Sequence, residues 1–109
     1  MSSEKNNNSS VPMREIVINT CYGAFGLSEK ASKLYCQRIN LDYENLEEHR
    51  LDRSDPILIE VIKELGTNAN ALYAQLEIVS LPVGTKYRIC EYEGSEHIET
   101  IESIRWKIA

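Results

Sequence analysis

The chain has 109 residues, enough for one hydrophobic core and too few for two, and with 42% hydrophobic and 27% charged side chains its composition is that of a folded globular domain. A formal charge of −5 argues against extended, phosphate-driven nucleic-acid binding, which needs clustered Lys and Arg to release counterions. Three cysteines, Cys21, Cys36 and Cys90, without C-x-x-C spacing argue against a disulfide framework or zinc knuckle, and no apolar run reaches the roughly 18 residues of a membrane span.

No positively charged stretch leads into an apolar one as in a secretory signal, so a soluble, intracellular, reducing setting is expected. Residues 1–12 are polar and Asn-rich and read as a disordered tail, because they carry too little apolar surface to offset the entropy of ordering. Residues 13–109 then form a single α+β domain.

The first element is a strand starting at Arg14, in which Ile16, Val17 and Ile18 form a β-branched run closed by Asn19 and Thr20. The loop Cys21-Tyr22-Gly23-Ala24-Phe25-Gly26-Leu27 places glycines where positive φ or a close backbone approach is needed, and Ser28 is a natural N-cap. Ala31, Leu34, Tyr35 and Ile39 then share one helical face, with Glu29 in the first turn and Arg38 in the last to suit the macrodipole. Residues 40–54 are crowded with charge around Leu41, Tyr43, Leu46 and Leu51, and read as a loop with one helical turn.

Asp55-Pro56 is a cap followed by an N1 proline, opening a helix with Ile57, Leu58, Val61, Ile62 and Leu65 inward and Gly66 just past its end. After a polar turn at residues 67–70, apolar and polar residues alternate from Leu72 to Val79 as a half-wet strand, interrupted by Pro82 and Gly84. Lys86–Tyr92 and His97–Ile101 flank Glu93-Gly94 as a β-hairpin, and the late apolar residues around Trp106 are expected to dock. The order is βα(loop)αβββ, with the helices packed on a small, mostly antiparallel sheet.

The loop before the first helix is the one segment with a chemical suggestion. Free N–H groups and the positive dipole end at a helix N-terminus favour an anion, and Tyr22 or Phe25 offers a ring for a base. A ligand site there would comprise Tyr22, Gly23, Phe25, Gly26 and Ser28, joined by Arg53 from the entry to the second helix. Neither G-x-G-x-x-G nor Gly-Lys-Ser/Thr is present, however, and turn geometry with core capping is the commoner role for such a loop.

Arg50, Arg53, Arg88, Arg105 and Lys107 could form a local anion pocket only if the fold gathers them; pairing with the many carboxylates is the ordinary reading. Cys21, near a helix N-terminus, would be a nucleophile only with His49 or His97 beside it, while Cys36 and Cys90 read as small buried apolar residues. Two histidines without neighbouring Cys or paired carboxylates argue against a transition-metal site, so no metal is expected, and no carboxylate pair is selected by spacing, so neither a cofactor nor a catalytic set is assigned.

Three stretches together, Ile16 to Ser28 (around Cys-Tyr-Gly-Ala-Phe-Gly-Leu-Ser), Arg53 to Gly66 (around Asp-Pro-Ile-Leu-Ile-Glu-Val-Ile-Lys-Glu-Leu-Gly) and Ala74 to Pro82, resemble a small uncharacterised family found in phages and large DNA viruses. The resemblance covers about residues 14–106 and departs from the family pattern at Ala24, where that pattern has glycine. It implies a virus-encoded accessory protein acting in the host cytoplasm or packaged in the particle, and the Asn-rich tail suits an AT-rich genome. No activity comes with it.

The leading functional expectation is therefore non-enzymatic interaction, with a protein partner or a second copy, through the Tyr22–Phe25 loop and the Tyr87/Tyr92 hairpin. A small-ligand binder for a nucleotide-like anion is the alternative, and a Cys-dependent enzyme the third.

Overall fold

The computed structural model describes residues 12–101; the expectations for residues 1–11 and for the segment around Trp106 lie outside the described residues. Strand β1 (Met13–Asn19) leads through the glycine-containing loop to helix α1 (Glu29–Ile39), two single 3-10 turns (Tyr43–Asn45 and Glu48–Arg50) and helix α2 (Pro56–Leu65). A further 3-10 turn (Gly66–Ala69) precedes strands β2 (Leu76–Pro82), β3 (Tyr87–Tyr92) and β4 (Ser95–Thr100). The architecture is α+β, in the expected order, with the strands paired as two separate antiparallel ribbons, β1 with β2 and β3 with β4.

Local sequence explains both helix starts. Ser28 Oγ accepts from Ala31 N at the start of α1, and Asp55 Oδ1 accepts from Ile57 N at the start of α2, where Pro56 takes the position whose N–H would be unpaired anyway. Asn40 ends α1 in the left-handed region at φ 59°. The two helices are tied by Tyr35, whose hydroxyl donates to Asp55 Oδ2 at 2.6 Å, and by Arg38, which reaches Glu60 and Glu64 across the interface. Burial and then the Asp55 hydrogen bond push the Tyr35 phenol well above its ordinary pKa.

The core lies between the helices and β1. Val17, Ala31, Tyr35, Leu58, Ile59, Val61, Ile62 and Ala69 are buried together, with Leu46 and Leu51 packed against them from residues 40–54. That segment makes two short turns rather than one, each delivering the leucine that follows it to the core. Ile59 was not among the expected inward residues of α2, yet it is buried. β1 is buried on both faces, since Ile16 and Ile18 are covered as completely as Val17.

Strand β2 starts four residues later than the alternation from Leu72 suggests. Ala74 N closes a turn on Ala71 O, Tyr73 takes φ 67°, and Asn70 Oδ1 receives Leu76 N, so residues 71–75 form a tight corner. The strand also runs through to Pro82 instead of breaking before it. Val83 N bonds to Pro12 O, so Pro82, one residue away in the alternation, turns its missing N–H to the open edge and costs no ladder bond.

Candidate functional site

The chemistry-bearing residues gather where three segments meet: the loop after β1, the corner at residues 71–75 and the tip of the β3–β4 hairpin. Asn19 is their hub. It is fully buried, and its side-chain oxygen accepts from Cys21 N (3.3 Å) and Gln75 N (2.8 Å) while its amide nitrogen donates to Cys21 O and Gly94 O at 2.7 Å each. An Asn side chain offers two donors and two acceptor sites, and all four are used, two on the loop at Cys21, one on the corner at Gln75 and one on the hairpin tip at Gly94.

Close backbone packing completes the junction. A Cβ on Gly23 would collide with the Tyr73 carbonyl and Cβ, and one on Gly94 would lie 2.6 Å from Ala24 N. The requirement at Gly23 is thus close approach, while the positive φ falls on Ala24 at 92°. Ala71 N donates to Gly26 O, and Ser95 Oγ to Thr20 O. The hairpin turn itself, with Glu93 at φ 50° and Gly94 at φ 91°, has both central residues in the left-handed region, the form that matches strand twist.

Beneath this surface lies an ion pair. Arg53 makes a forked contact with Glu96 (Nη1 to Oε1 2.7 Å, Nη2 to Oε2 2.9 Å), donates to Val17 O at 3.2 Å, and sets its guanidinium 3.7 Å from the Phe25 ring centroid. Glu96 also accepts from Asn19 N. Its side chain is only 8% exposed, and although burial raises its pKa, the Arg53 and Asn19 hydrogen bonds and the Arg53 charge outweigh that and hold the carboxyl below its ordinary value.

The six residues considered for a ligand site are therefore placed as follows. Phe25 and Arg53 stack on each other, and with Glu48 and His49 they line a cleft of about 500 Å³. Gly23 and Gly26 face the 71–73 corner, and Ser28 Oγ is occupied at both ends, accepting from Ala31 N and donating to Asn68 O at 2.6 Å. Tyr22 points outward and is 69% exposed. Among the described residues the arginines do not converge, since Arg50 pairs with Glu47, Arg53 with Glu96 and Arg88 with Glu99, while Arg105 and Lys107 lie outside the described residues. Cys36 is buried, which raises its thiol pKa, and His97 lies across the hairpin from Cys90.

What the outer face of the junction presents is apolar. Tyr22, Leu72 and Tyr73 are 69%, 81% and 72% exposed, and Tyr92, at the end of β3 beside the docked hairpin tip, is 67% exposed. Leu72 was expected on the covered face of a half-wet strand and Tyr73 on its wet face; the corner at residues 71–75 leaves both exposed. The corner is held by the local Ala71–Ala74 turn together with two tertiary contacts, the approach of Gly23 to Tyr73 and the Asn19–Gln75 bond.

Comparison with known proteins finds no family model, no curated protein and no solved structure that matches the chain. Among the described residues, no helix is long and apolar enough to cross a membrane.

Proposed function

We propose that this protein acts as a non-enzymatic interaction module, holding a protein partner through the outward-facing aromatic corner formed by Tyr22, Leu72 and Tyr73. The observation that carries this reading is large apolar side chains left in water above a junction whose central Asn19 side chain uses all four of its hydrogen-bonding positions. Tyr side chains on a rigid support give contact area at little entropic cost, which is why they dominate interface hot spots. Two non-glycine residues of the junction, Ala24 and Tyr73, hold positive φ, and such conformations persist where the surroundings impose them, as at binding sites. A virus-encoded setting rests on the sequence resemblance alone.

A nucleotide-like anion at the same loop has less support, because the Arg53 fork is engaged by Glu96 and the Ser28 hydroxyl by Asn68. The deciding experiment is capture of partners by the full chain, set beside Tyr22→Ala and Leu72→Ala. These exposed substitutions should leave the free energy of unfolding within about 0.5 kcal/mol of the parent. Loss of a hot-spot residue should weaken partner binding about 30-fold, the equivalent of about 2 kcal/mol. A captured partner that binds both variants as well as the parent would refute this placement of the interface.

A further inference from the structure

We infer that the outer face of the β3–β4 hairpin is a transition-metal site, with Cys90, His97 and Glu99 as ligands and zinc(II) as the class of ion. The antiparallel register sets Cys90 directly opposite His97 and Arg88 opposite Glu99, so strand alternation brings all four onto one face. One ligand atom from each of Cys90, His97 and Glu99 lies within 4.8 Å of the other two. His97 Nε2 is already 3.1 Å from Glu99 Oε2.

The donor set selects the ion. A tetrahedral zinc with bonds of about 2.0–2.3 Å separates its ligand atoms by roughly 3.3–3.7 Å, so the three groups need only small rotamer adjustments to close on one. Thiolate and imidazole are soft to borderline ligands that suit zinc, whereas calcium and magnesium take oxygen shells. Three protein ligands leave the fourth position to water. Binding replaces the Cys90 thiol proton with the metal and releases that proton to solvent.

The surroundings fit a ligand role for Glu99. Glu99 Oε1 accepts from Arg88 Nη2 at 2.9 Å and Nε at 3.2 Å, and Oε2 lies 3.1 Å from His97 Nε2. A ligating carboxylate is ordinarily fixed by such an outer partner, which makes Arg88 a positioning residue. Glu99 is held with its side chain 14% exposed, whereas His97 is 59% exposed and its ring is reachable from solvent. The metal would join β3 to β4 across a hairpin that has little apolar burial of its own.

The test is a cobalt(II) titration of the full chain, followed by displacement with zinc(II). The expected result is a thiolate-to-cobalt charge-transfer band that appears with one equivalent, disappears in Cys90→Ser and survives in Cys21→Ser. Glu99→Gln and Arg88→Leu should each weaken binding about 10- to 100-fold while the band's position is retained. A second measurement avoids substitutions altogether: zinc should slow alkylation of Cys90 in the unaltered protein and leave Cys21 unaffected. Absence of the band, its persistence in Cys90→Ser, or Cys90 alkylation at the same rate with and without zinc would overturn the proposal.

Discussion

The helical half and the β3–β4 hairpin are held by different forces. Around β1, α1 and α2 the contacts are apolar, with Val17, Leu58 and Val61 fully buried. In β3 and β4 the only buried residue is the charged Glu96, and the hairpin is attached through Arg53–Glu96, Asn19–Gly94 and Ser95–Thr20. Apolar burial is non-directional and tolerates small shifts, while a forked ion pair and a saturated amide demand one orientation. The core should therefore set global stability, and the polar ties should set where the hairpin sits.

The largest effect expected from breaking this division comes from Leu58→Ala. Leu58 has no exposed surface and is packed by β1 and both helices, so its truncation leaves a cavity and should cost about 4 kcal/mol. Denaturant unfolding should show one transition at a lower midpoint, with hairpin and helices lost together. A cost under about 1 kcal/mol would mean that the core is not where stability resides.

Arg53→Ala should come next, at about 2–3 kcal/mol, below the value for a fully enclosed pair because Arg53 keeps a quarter of its surface in water. The loss arises chiefly because Glu96 is left buried without its counter-charge. Hydrogen exchange should rise first in β3 and β4 while α2 stays protected. Replacing both partners, as in Arg53→Met with Glu96→Leu, should recover part of the lost stability, since no buried charge is left uncompensated, although Asn19 N–H and Val17 O each lose a hydrogen bond. Uniform loss of protection across the chain would show that the two halves are a single unit.

Acid sharpens the same comparison. The folded-state pKa of Glu96 lies below its ordinary value, so the contribution of this group to stability is present above the ordinary carboxylate range and fades as pH falls through the lower folded value. Stability should decline on acidification over that window, with the hairpin loosening before the core. The paired Arg53→Met, Glu96→Leu variant should lack that component, which a pH series of melting temperatures would read directly.

How much of this was readable in advance depended on whether the cause was local. The α2 helix was legible because Asp55, Pro56 and Gly66 mark its ends chemically, and the Glu93-Gly94 turn because only a few residue pairs suit it. The late start of β2 was not, since Leu72 to Ile78 alternates like a strand and the corner that replaces its first part is held by the Asn70 side chain and by the distant Asn19 and Gly23. Asn19 gave no sequence sign of being a hub, as its partners lie up to 77 residues away. The Cys90–His97 pairing stood in between: counting outward from a two-residue turn pairs Tyr92 with Ser95 and Cys90 with His97, but reading the two histidines for linear motifs passes over it.

The smallest effect belongs to Ala24→Gly, and it tests whether the junction carries strain. Ala24 sits at φ 92°, where a Cβ is disfavoured, and its backbone is pinned by the hairpin tip at Gly94, so it cannot relax by moving alone. Removing the Cβ relieves about 1–2 kcal/mol in the folded state, against about 0.4–1 kcal/mol of added freedom in the unfolded chain. The net gain should be about 0.5–1 kcal/mol, or roughly 2–8 °C in melting temperature for a domain of this size. If the substitution destabilises instead, the positive φ at Ala24 is not a cost to the fold, and backbone strain drops out as support for the binding corner, leaving the exposed Tyr22, Leu72 and Tyr73 to carry it.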